Sequence, residues 1–177
     1  MPMMKVINRE LGLPILLTWL LLAAGHDMSA TGTEGHLFVI ERSLNANTIA
    51  YDVRIDSAGR LDCTTPLHAY WVMSADRGQV EELSPFERAC AFGYDIGHCG
   101  DDRCEVTLRA LRSRPIRIEL GGGTARARAR IGGHEGILRR VFVSLRRGGL
   151  FPRVESIDLC GVSRESGEPL CERIAAR

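Results

Sequence analysis

The amino-acid sequence predicts a mainly all-β domain of about eight antiparallel strands, which form a small barrel or sandwich with one short helix packed on it. Three observations support this class. Short runs of alternating apolar and polar residues recur along residues 36–174. Glycine-rich turns separate many of these runs at spacings of roughly 8 to 16 residues. Only one stretch carries strong helix-start residues, and no linker divides the chain.

The first 25 residues have the layout of a secretory signal peptide. Lys5 and Arg9 give a basic start, and small residues at 23–25 offer a cleavage site. The apolar run between them, about 15 residues long, is short for a membrane span, which needs roughly 20. A retained N-terminal anchor is the alternative. We therefore expect a signal peptide (1–25), a flexible N-terminal segment (26–35), a single β-rich domain (36–174) and no membrane insertion after signal removal.

Two strands are predicted near the start of the domain. Residues 36–41 (HLFVIE) form a short apolar run, and the turn residues 45–47 (NAN) follow it. In residues 49–56 (IAYDVRID) the large apolar side chains alternate with small or charged ones, as a half-buried antiparallel strand requires. A turn at residues 57–59 ends this second strand.

Residues 67–96 combine an aromatic strand with the predicted helix. Both faces of residues 67–73 (LHAYWVM) are largely apolar, which suits a strand covered on both sides. Ser84 then provides an N-cap, Pro85 occupies the first helical position, and Glu87 completes a capping box. We expect this strand and helix to form part of the core and to close one side of the β structure.

From residue 104 onward the sequence indicates a meander of antiparallel strands. Residues 124–131 (TARARARI) depart from the usual pattern, because the side chains predicted to face inward are all alanines before Ile131. Alanine is a poor strand former, so the space beside this stripe needs an occupant. Either a bulky neighbour such as Trp71 or the helix fills the space, or the space is a ligand cavity; we favour packing.

Charge argues against nucleic-acid binding. Without residues 1–25 the chain has 21 basic and 21 acidic residues, whereas phosphate-binding domains usually show a basic excess. The distribution is uneven: residues 27–102 contain 13 acids and 5 arginines, and residues 103–153 contain 13 arginines and 3 acids. The two parts are expected to attract each other across a sheet or to present a bipolar surface to a partner.

All six cysteines lie after the signal peptide, which predicts disulfides in an oxidising compartment, periplasmic or extracellular. Six cysteines allow 15 connectivities. Cys99 and Cys104 bracket a short turn, and Cys160 and Cys171 bracket a Ser/Gly/Pro-containing loop, so each pair is expected to bridge a hairpin. The remaining pair, Cys63 and Cys90, would tie the entry of the aromatic strand to the helix.

Two clusters have residue types suited to binding. Arg126, Arg128 and Arg130 lie in line, and guanidinium groups match carboxylate and phosphate geometry. A solvated face paired with acids from the first half of the chain is the simpler explanation of these arginines. The segment at residues 98–104 (HCGDDRC) has metal-ligand residue types, but its spacing and an oxidising compartment favour a disulfide. We predict no metal and no cofactor.

A catalytic constellation is not evident. The sequence has no G-x-S-x-G motif and no lysine after residue 5, which removes two common ways of activating a serine nucleophile. His68 paired with Glu87 or Asp95 would make an acid/base pair beside Tyr70, but the spacing does not require it. An envelope hydrolase that uses such a pair is therefore an alternative hypothesis.

Several motifs together resemble a family of exported bacterial proteins known only as a domain of unknown function. They are RSLNAN at residues 42–47 before Tyr51, Pro66 before Tyr70-Trp71, Leu83 with Glu87, AFGY at residues 91–94, and DLCG at residues 158–161. The resemblance covers roughly residues 36–174. It implies an exported domain, and it brings no activity, cofactor or catalytic residue that can be assigned to this chain.

We expect a periplasmic or secreted cell-envelope domain that binds a small ligand or an envelope protein and has no catalytic activity. The proposed ligand contacts are Asn45, Asn47, Tyr70, Trp71, Glu87, Tyr94, Arg126, Arg128 and Arg130. Core packing is the alternative role of the aromatic residues, and turn formation that of the two asparagines. A disulfide-stapled structural module in a larger assembly is the third hypothesis.

Overall fold

The computed structural model of the protein describes residues 36–148 and 152–175. The predicted signal peptide (1–25) and the segment 26–35 lie outside the described residues. Within the described part of the chain, no helix is both long enough and apolar enough to cross a membrane.

In the described residues, eleven strands form one curled sheet, a half-barrel, so the predicted mainly all-β class is confirmed. The sheet has more strands than the eight expected. Two short strands, β4 and β5, contain no buried residue and therefore lack the strong apolar alternation that the prediction needs. The strands are β1 (Phe38–Arg42), β2 (Asn45–Val53), β3 (Leu67–Met73), β4 (Gln79–Glu82), β5 (Tyr94–Cys99), β6 (Arg103–Leu108), β7 (Pro115–Gly121), β8 (Thr124–Ile131), β9 (His134–Arg146), β10 (Arg153–Ser163) and β11 (Pro169–Ala175).

Strand β9 is the centre of the topology. Its residues 134–137 pair with β8, its residues 140–143 pair with β1, and β10 runs along its other edge with β11 beyond. The β1–β9 pair is parallel, whereas a wholly antiparallel sheet was predicted. The sheet therefore continues from the same edge of β9 in two directions, through β1 to β4 and through β8 to β5. The core lies between these two groups of strands.

The core contains side chains from both groups of strands. Phe38 of β1 stacks on Tyr51 of β2 with ring centroids 4.5 Å apart, and neither side chain is exposed. Ala127 and Ala129 are buried in the same cluster. Packing therefore accounts for these two alanines, whereas Ala125 is only partly buried and lines an open cleft.

The predicted capping box is present. The Glu87 N–H donates to Ser84 Oγ at 3.3 Å, and the Ser84 N–H donates to Glu87 Oε2 at 2.8 Å. The helix, α1 (Pro85–Glu87), continues as a π-helical turn (Arg88–Phe92) and ends at Gly93. A Cβ atom at Gly93 would lie 2.0 Å from the carbonyl oxygen of Arg88, so only glycine fits this exit.

Two of the three predicted disulfides are confirmed. Cys99–Cys104 joins β5 to β6 and Cys160–Cys171 joins β10 to β11, each between directly opposed residues with Cα atoms 4.1 Å and 4.2 Å apart. The third was wrong, because Cys63 and Cys90 are free. Both are exposed, and the Cys63 sulfur lies against the carbonyl oxygen of Gly100, in the turn after β5, rather than against the helix.

Candidate functional site

Four side chains form a compact group where β1, β3 and the helical turn meet. The guanidinium of Arg42 lies over the rings of Trp71 and Phe92, at 4.6 Å and 5.4 Å from their centroids. The two rings meet edge to face, and the Trp71 indole N–H donates to Glu87 Oε1 at 3.1 Å. We call Arg42, Trp71, Glu87 and Phe92 the Arg42 cluster. It fastens the helical turn to the sheet.

The two charged side chains of this cluster, Arg42 and Glu87, are partly buried. Burial lowers the pKa of the Arg42 guanidinium, and the charge of Glu87 opposes that shift. Arg42 Nε is buried and has no hydrogen-bond partner among the described residues. Its neighbours on the sheet side are aromatic rings, so cation–π attraction contributes to holding this cation.

Glu87 makes the stability of this region dependent on pH. Burial opposes ionisation, but hydrogen bonds from Ser84 and Trp71 and the charge of Arg42 outweigh it and hold the Glu87 pKa below its ordinary value of 4.5. Because the pKa of Glu87 is lower in the folded state, ionised Glu87 adds to the free energy of unfolding at pH values above its ordinary pKa. This stabilisation is lost as the pH falls through the folded-state pKa.

We therefore expect Glu87→Gln to reduce the loss of stability on acidification from about pH 7 to about pH 3. Urea midpoints of the wild type and the variant at both pH values measure this difference. Glu81→Gln is the matched control, since Glu81 is an exposed β4 residue with no side-chain hydrogen bond to another described residue. An equal change in both variants would contradict the assignment to Glu87.

An open cleft of about 640 Å³ lies beside the helical turn. Its lining contains three arginines and no acidic residue, and it includes the largely buried Phe92 of the Arg42 cluster. We call it the arginine cleft. The lining residues are Arg54, Thr64, Thr65, Leu67, Ala69, Pro85, Arg88, Ala89, Phe92, Gly93, Tyr94, Ile96 and Arg109.

The three arginines of the cleft are held differently. Arg88 pairs with Glu82, and Arg109 pairs with Asp95 at 3.2 Å; neither acid lines the cleft. Arg54 is exposed and makes no side-chain hydrogen bond or ion pair with another described residue. Two guanidinium groups are thus oriented by partners, and the third is available to a ligand.

Aromatic and apolar side chains form another part of this lining. The Tyr94 hydroxyl donates to the Leu67 carbonyl at 2.7 Å and accepts from the Leu67 N–H at 3.1 Å, so Tyr94 presents its ring to the cleft. The buried Tyr51 hydroxyl donates to the Phe92 carbonyl at 2.7 Å and holds the end of the π-helical turn. Ile96 is 40% exposed. The cleft therefore has a fixed apolar part next to its cations.

The predicted ligand contacts are distributed over several places. Tyr94 lies in the arginine cleft, and Trp71 and Glu87 belong to the Arg42 cluster. Asn45 Oδ1 accepts from the Asn47 N–H at 2.8 Å, and Asn47 Oδ1 accepts from the Ser74 N–H at 3.1 Å. Neither asparagine lines the cleft. The Asn45 bond is that of a turn-forming residue, whereas Asn47 joins β2 to the turn after β3.

The arginine stripe of β8 lies elsewhere. Arg128 pairs with Glu119 of the neighbouring strand at 2.9 Å, and Arg130 donates to the Gly133 carbonyl at 3.2 Å. The expected pairing of the stripe with acids from the first half of the chain is therefore wrong for Arg128. Arg126 is exposed. Arg128 and Arg130 line a smaller cleft of about 250 Å³ that also contains glutamates, so its charge is mixed.

The predicted acid/base pair of His68 is not formed. His68 Nε2 lies 2.7 Å from Glu82 Oε1, because both residues are on one face of the β3–β4 hairpin. The Glu87 carboxylate accepts hydrogen bonds from Trp71 and Ser84, and Asp95 forms an ion pair with Arg109. The hydrolase hypothesis in its original form was thus wrong about the partner of His68. In the described parts of the chain, His, Cys, Asp and Glu side chains do not gather in threes that could hold a metal ion.

The arginines of the cleft were missed by the sequence analysis. Arg54 follows β2, Arg88 starts the π-helical turn, and Arg109 starts a 3₁₀ turn (Arg109–Leu111). Each is an isolated arginine in its own segment, without the repetition along one strand that marks Arg126, Arg128 and Arg130. Only the folded chain brings them together.

The family model described as "Domain of unknown function (DUF4833)" matches residues 38–173. That range contains the sequence motifs on which the resemblance was based, and it covers nearly all of the described strands. Neither a curated protein nor a solved structure matches the chain.

Proposed function

We propose that this chain, which belongs to the DUF4833 family, is a binding domain that takes a small anionic ligand into the arginine cleft. The observation that carries the proposal is the lining itself, with three guanidinium groups and no carboxylate. Arg88 and Arg109 are paired with acids outside the lining, so the net positive charge of the cleft comes from Arg54. A local excess attracts an anion to one place on the surface.

The chemistry of the cleft favours a carboxylate or phosphate attached to an apolar or aromatic group. Guanidinium groups bind such anions through paired N–H donors, and those bonds are stronger than neutral ones. The rings of Phe92 and Tyr94 and the side chain of Ile96 offer apolar contact beside the cations. The volume of about 640 Å³ is within the usual range for small-molecule sites.

Arg54→Ala is expected to weaken binding of phenyl phosphate about tenfold or more, because the variant loses an unpaired cation from the cleft. Isothermal titration calorimetry of the wild type and the variant measures this. Titrations with inorganic phosphate and with benzyl alcohol show how much of the affinity comes from the anion and how much from the aromatic ring.

Arg126→Ala is the matched control, since it removes an exposed arginine outside the cleft. Its affinity for phenyl phosphate is expected to equal that of the wild type. The proposal fails if the wild type binds no aromatic or aliphatic carboxylate or phosphate, and a structural role without a ligand then becomes the better explanation. Equal losses of affinity in Arg54→Ala and Arg126→Ala would show that the anion does not bind in the arginine cleft.

We also propose that the domain works in the periplasm or outside the cell. The predicted signal peptide and the two hairpin disulfides support this location, because such bonds persist in oxidising compartments. Expression of the full chain in a bacterial host, followed by fractionation and N-terminal sequencing, tests it. We expect an exported protein that begins near residue 26, and a cytoplasmic, unprocessed protein would contradict the proposal.

A further inference from the structure

A second group of polar side chains is built around Asp52, near the end of β2. Asp52 Oδ2 accepts a hydrogen bond from the Tyr70 hydroxyl at 2.5 Å. Asp52 Oδ1 lies 2.9 Å from His36 Nδ1. One carboxylate thus holds both a phenol and an imidazole, and each of its oxygens has one partner. Burial and the bond to Asp52 raise the pKa of Tyr70, which keeps this hydroxyl protonated.

The hydrogen bonds define the protonation of the His36 ring. The Tyr70 hydroxyl also lies 3.3 Å from His36 Nδ1, but its one proton is donated to Asp52. A carboxylate accepts hydrogen bonds and donates none, so the proton between His36 and Asp52 belongs to Nδ1. In the neutral ring the other nitrogen, Nε2, then carries the lone pair. His36 Nε2 makes no hydrogen bond with another described residue. It is therefore a base whose orientation is set by Asp52.

His36 and Asp52 line an open cleft of about 520 Å³, which we call the His36 cleft. Thr124 and Arg139 also line it, and it shares no lining residue with the arginine cleft. The His36 side chain is 24% exposed. Arg139 is exposed and makes no ion pair with another described residue. The His36 cleft thus contains a base and a free cation.

The other histidine–carboxylate pair near this face is different. His68 Nε2 is bonded to Glu82, whose second carboxylate oxygen binds Arg88. Neither His68 nor Glu82 is among the residues that line the His36 cleft. His68 nevertheless borders the group around Asp52, because its ring lies 4.8 Å from that of Tyr70 and it pairs with Asp52 in the β2–β3 register.

We propose that the His36 cleft is a catalytic site that hydrolyses an ester of a carboxylic acid with water. His36 Nε2 takes a proton from the water, and the water oxygen attacks the ester carbonyl carbon. Arg139 pairs with the oxyanion that forms. The bond from carbon to the leaving oxygen then breaks, and the proton on Nε2 passes to that oxygen. One ester and one water give one carboxylic acid and one alcohol.

An ester fits the groups that are present. The cleft offers one base and one cation, which suffices when the leaving group is an alcohol or phenol. Asp52 and Tyr70 are positioning residues here: Asp52 holds the ring tautomer and stabilises the imidazolium that forms, and Tyr70 holds Asp52.

The test is turnover of p-nitrophenyl acetate, butyrate and phenylacetate by the full chain, followed by p-nitrophenol release. We expect saturable kinetics for the wild type and a loss of about 100-fold or more in kcat for His36→Gln. Asp52→Asn and Tyr70→Phe are expected to lower kcat with little change in KM, which a purely structural role would not produce. Added imidazole is expected to restore part of the rate to His36→Gly.

His98→Gln is the control and is expected to keep the wild-type rate, since His98 is exposed on β5 and does not line the His36 cleft. Thermal unfolding of each variant shows whether it is folded, and the imidazole rescue separates lost chemistry from lost structure. The proposal is overturned if the wild type shows no saturable turnover of any of the three esters. It is also overturned if His36→Gln keeps its rate, or if His98→Gln loses as much.

Discussion

Replacement of Gly161 by alanine is expected to destabilise the domain by about 3 kcal/mol, because β10 has no room for a methyl group there. A Cβ atom at this position would lie 2.1 Å from the Ile137 carbonyl oxygen of β9 and 3.1 Å from the Ile131 side chain. The nearest obstacle is backbone, so relief requires β10 to move away from β9. The pairing register of these two strands already shifts between Cys160 and Gly161.

Urea unfolding of Gly161→Ala against the wild type measures this effect. Gly121→Ala is the matched control, because an added Cβ at Gly121 meets no heavy atom within 4 Å and its backbone does not have a positive φ. We expect the control to stay within about 0.5 kcal/mol of the wild type. A similar stability of the two variants would mean that β10 adapts to the methyl group.

The second large effect is expected for Phe38→Ala, at about 3 to 5 kcal/mol of lost stability. Phe38 is fully buried at the centre of the half-barrel and stacks on Tyr51. Truncation leaves a cavity between the two groups of strands, and Tyr51 loses its stacking partner. The Tyr51 hydroxyl holds the Phe92 carbonyl, so the arginine cleft is expected to weaken as well.

Chemical denaturation of Phe38→Ala measures the loss of stability, and phenyl phosphate titration of the still-folded variant measures the effect on the cleft. Phe86→Ala removes the same side chain where it is 74% exposed, and it is expected to change stability by less than about 0.5 kcal/mol. A small effect of Phe38→Ala would show that the core closes over the cavity.

The residues on which the family resemblance was based meet in the folded protein. Arg42, Trp71, Glu87 and Phe92 come from four separate motifs and form one cluster, and Tyr51, which follows the first motif, bonds to Phe92. Gly161 of the last motif permits the close approach of β10 to β9. These residues account for the architecture around the arginine cleft, and Phe92 is the one that belongs to both the Arg42 cluster and the cleft lining.

The candidate sites were only partly predictable. Of the nine predicted ligand contacts, Tyr94 lines the arginine cleft, while Tyr70 belongs to the group around Asp52. The prediction depended on aromatic and polar residue types and on repetition along one strand. His36 and Asp52 are separated by 16 residues, and no spacing rule joins them. Their contact results from the pairing of β1 with β2.

The features that depend on near neighbours along the chain were predictable from local residue patterns. Alternation with a period of two predicts strands, a Ser84–Glu87 spacing predicts a capping box, and short loops between cysteines predict hairpin disulfides. The contacts between distant segments became visible in the folded chain alone. They are the parallel β1–β9 pair, the separation of Cys63 from Cys90, and the two clefts. The physical reason is that a local pattern specifies which face of a strand is buried, whereas contacts between distant segments depend on how the whole sheet curls around its shared core.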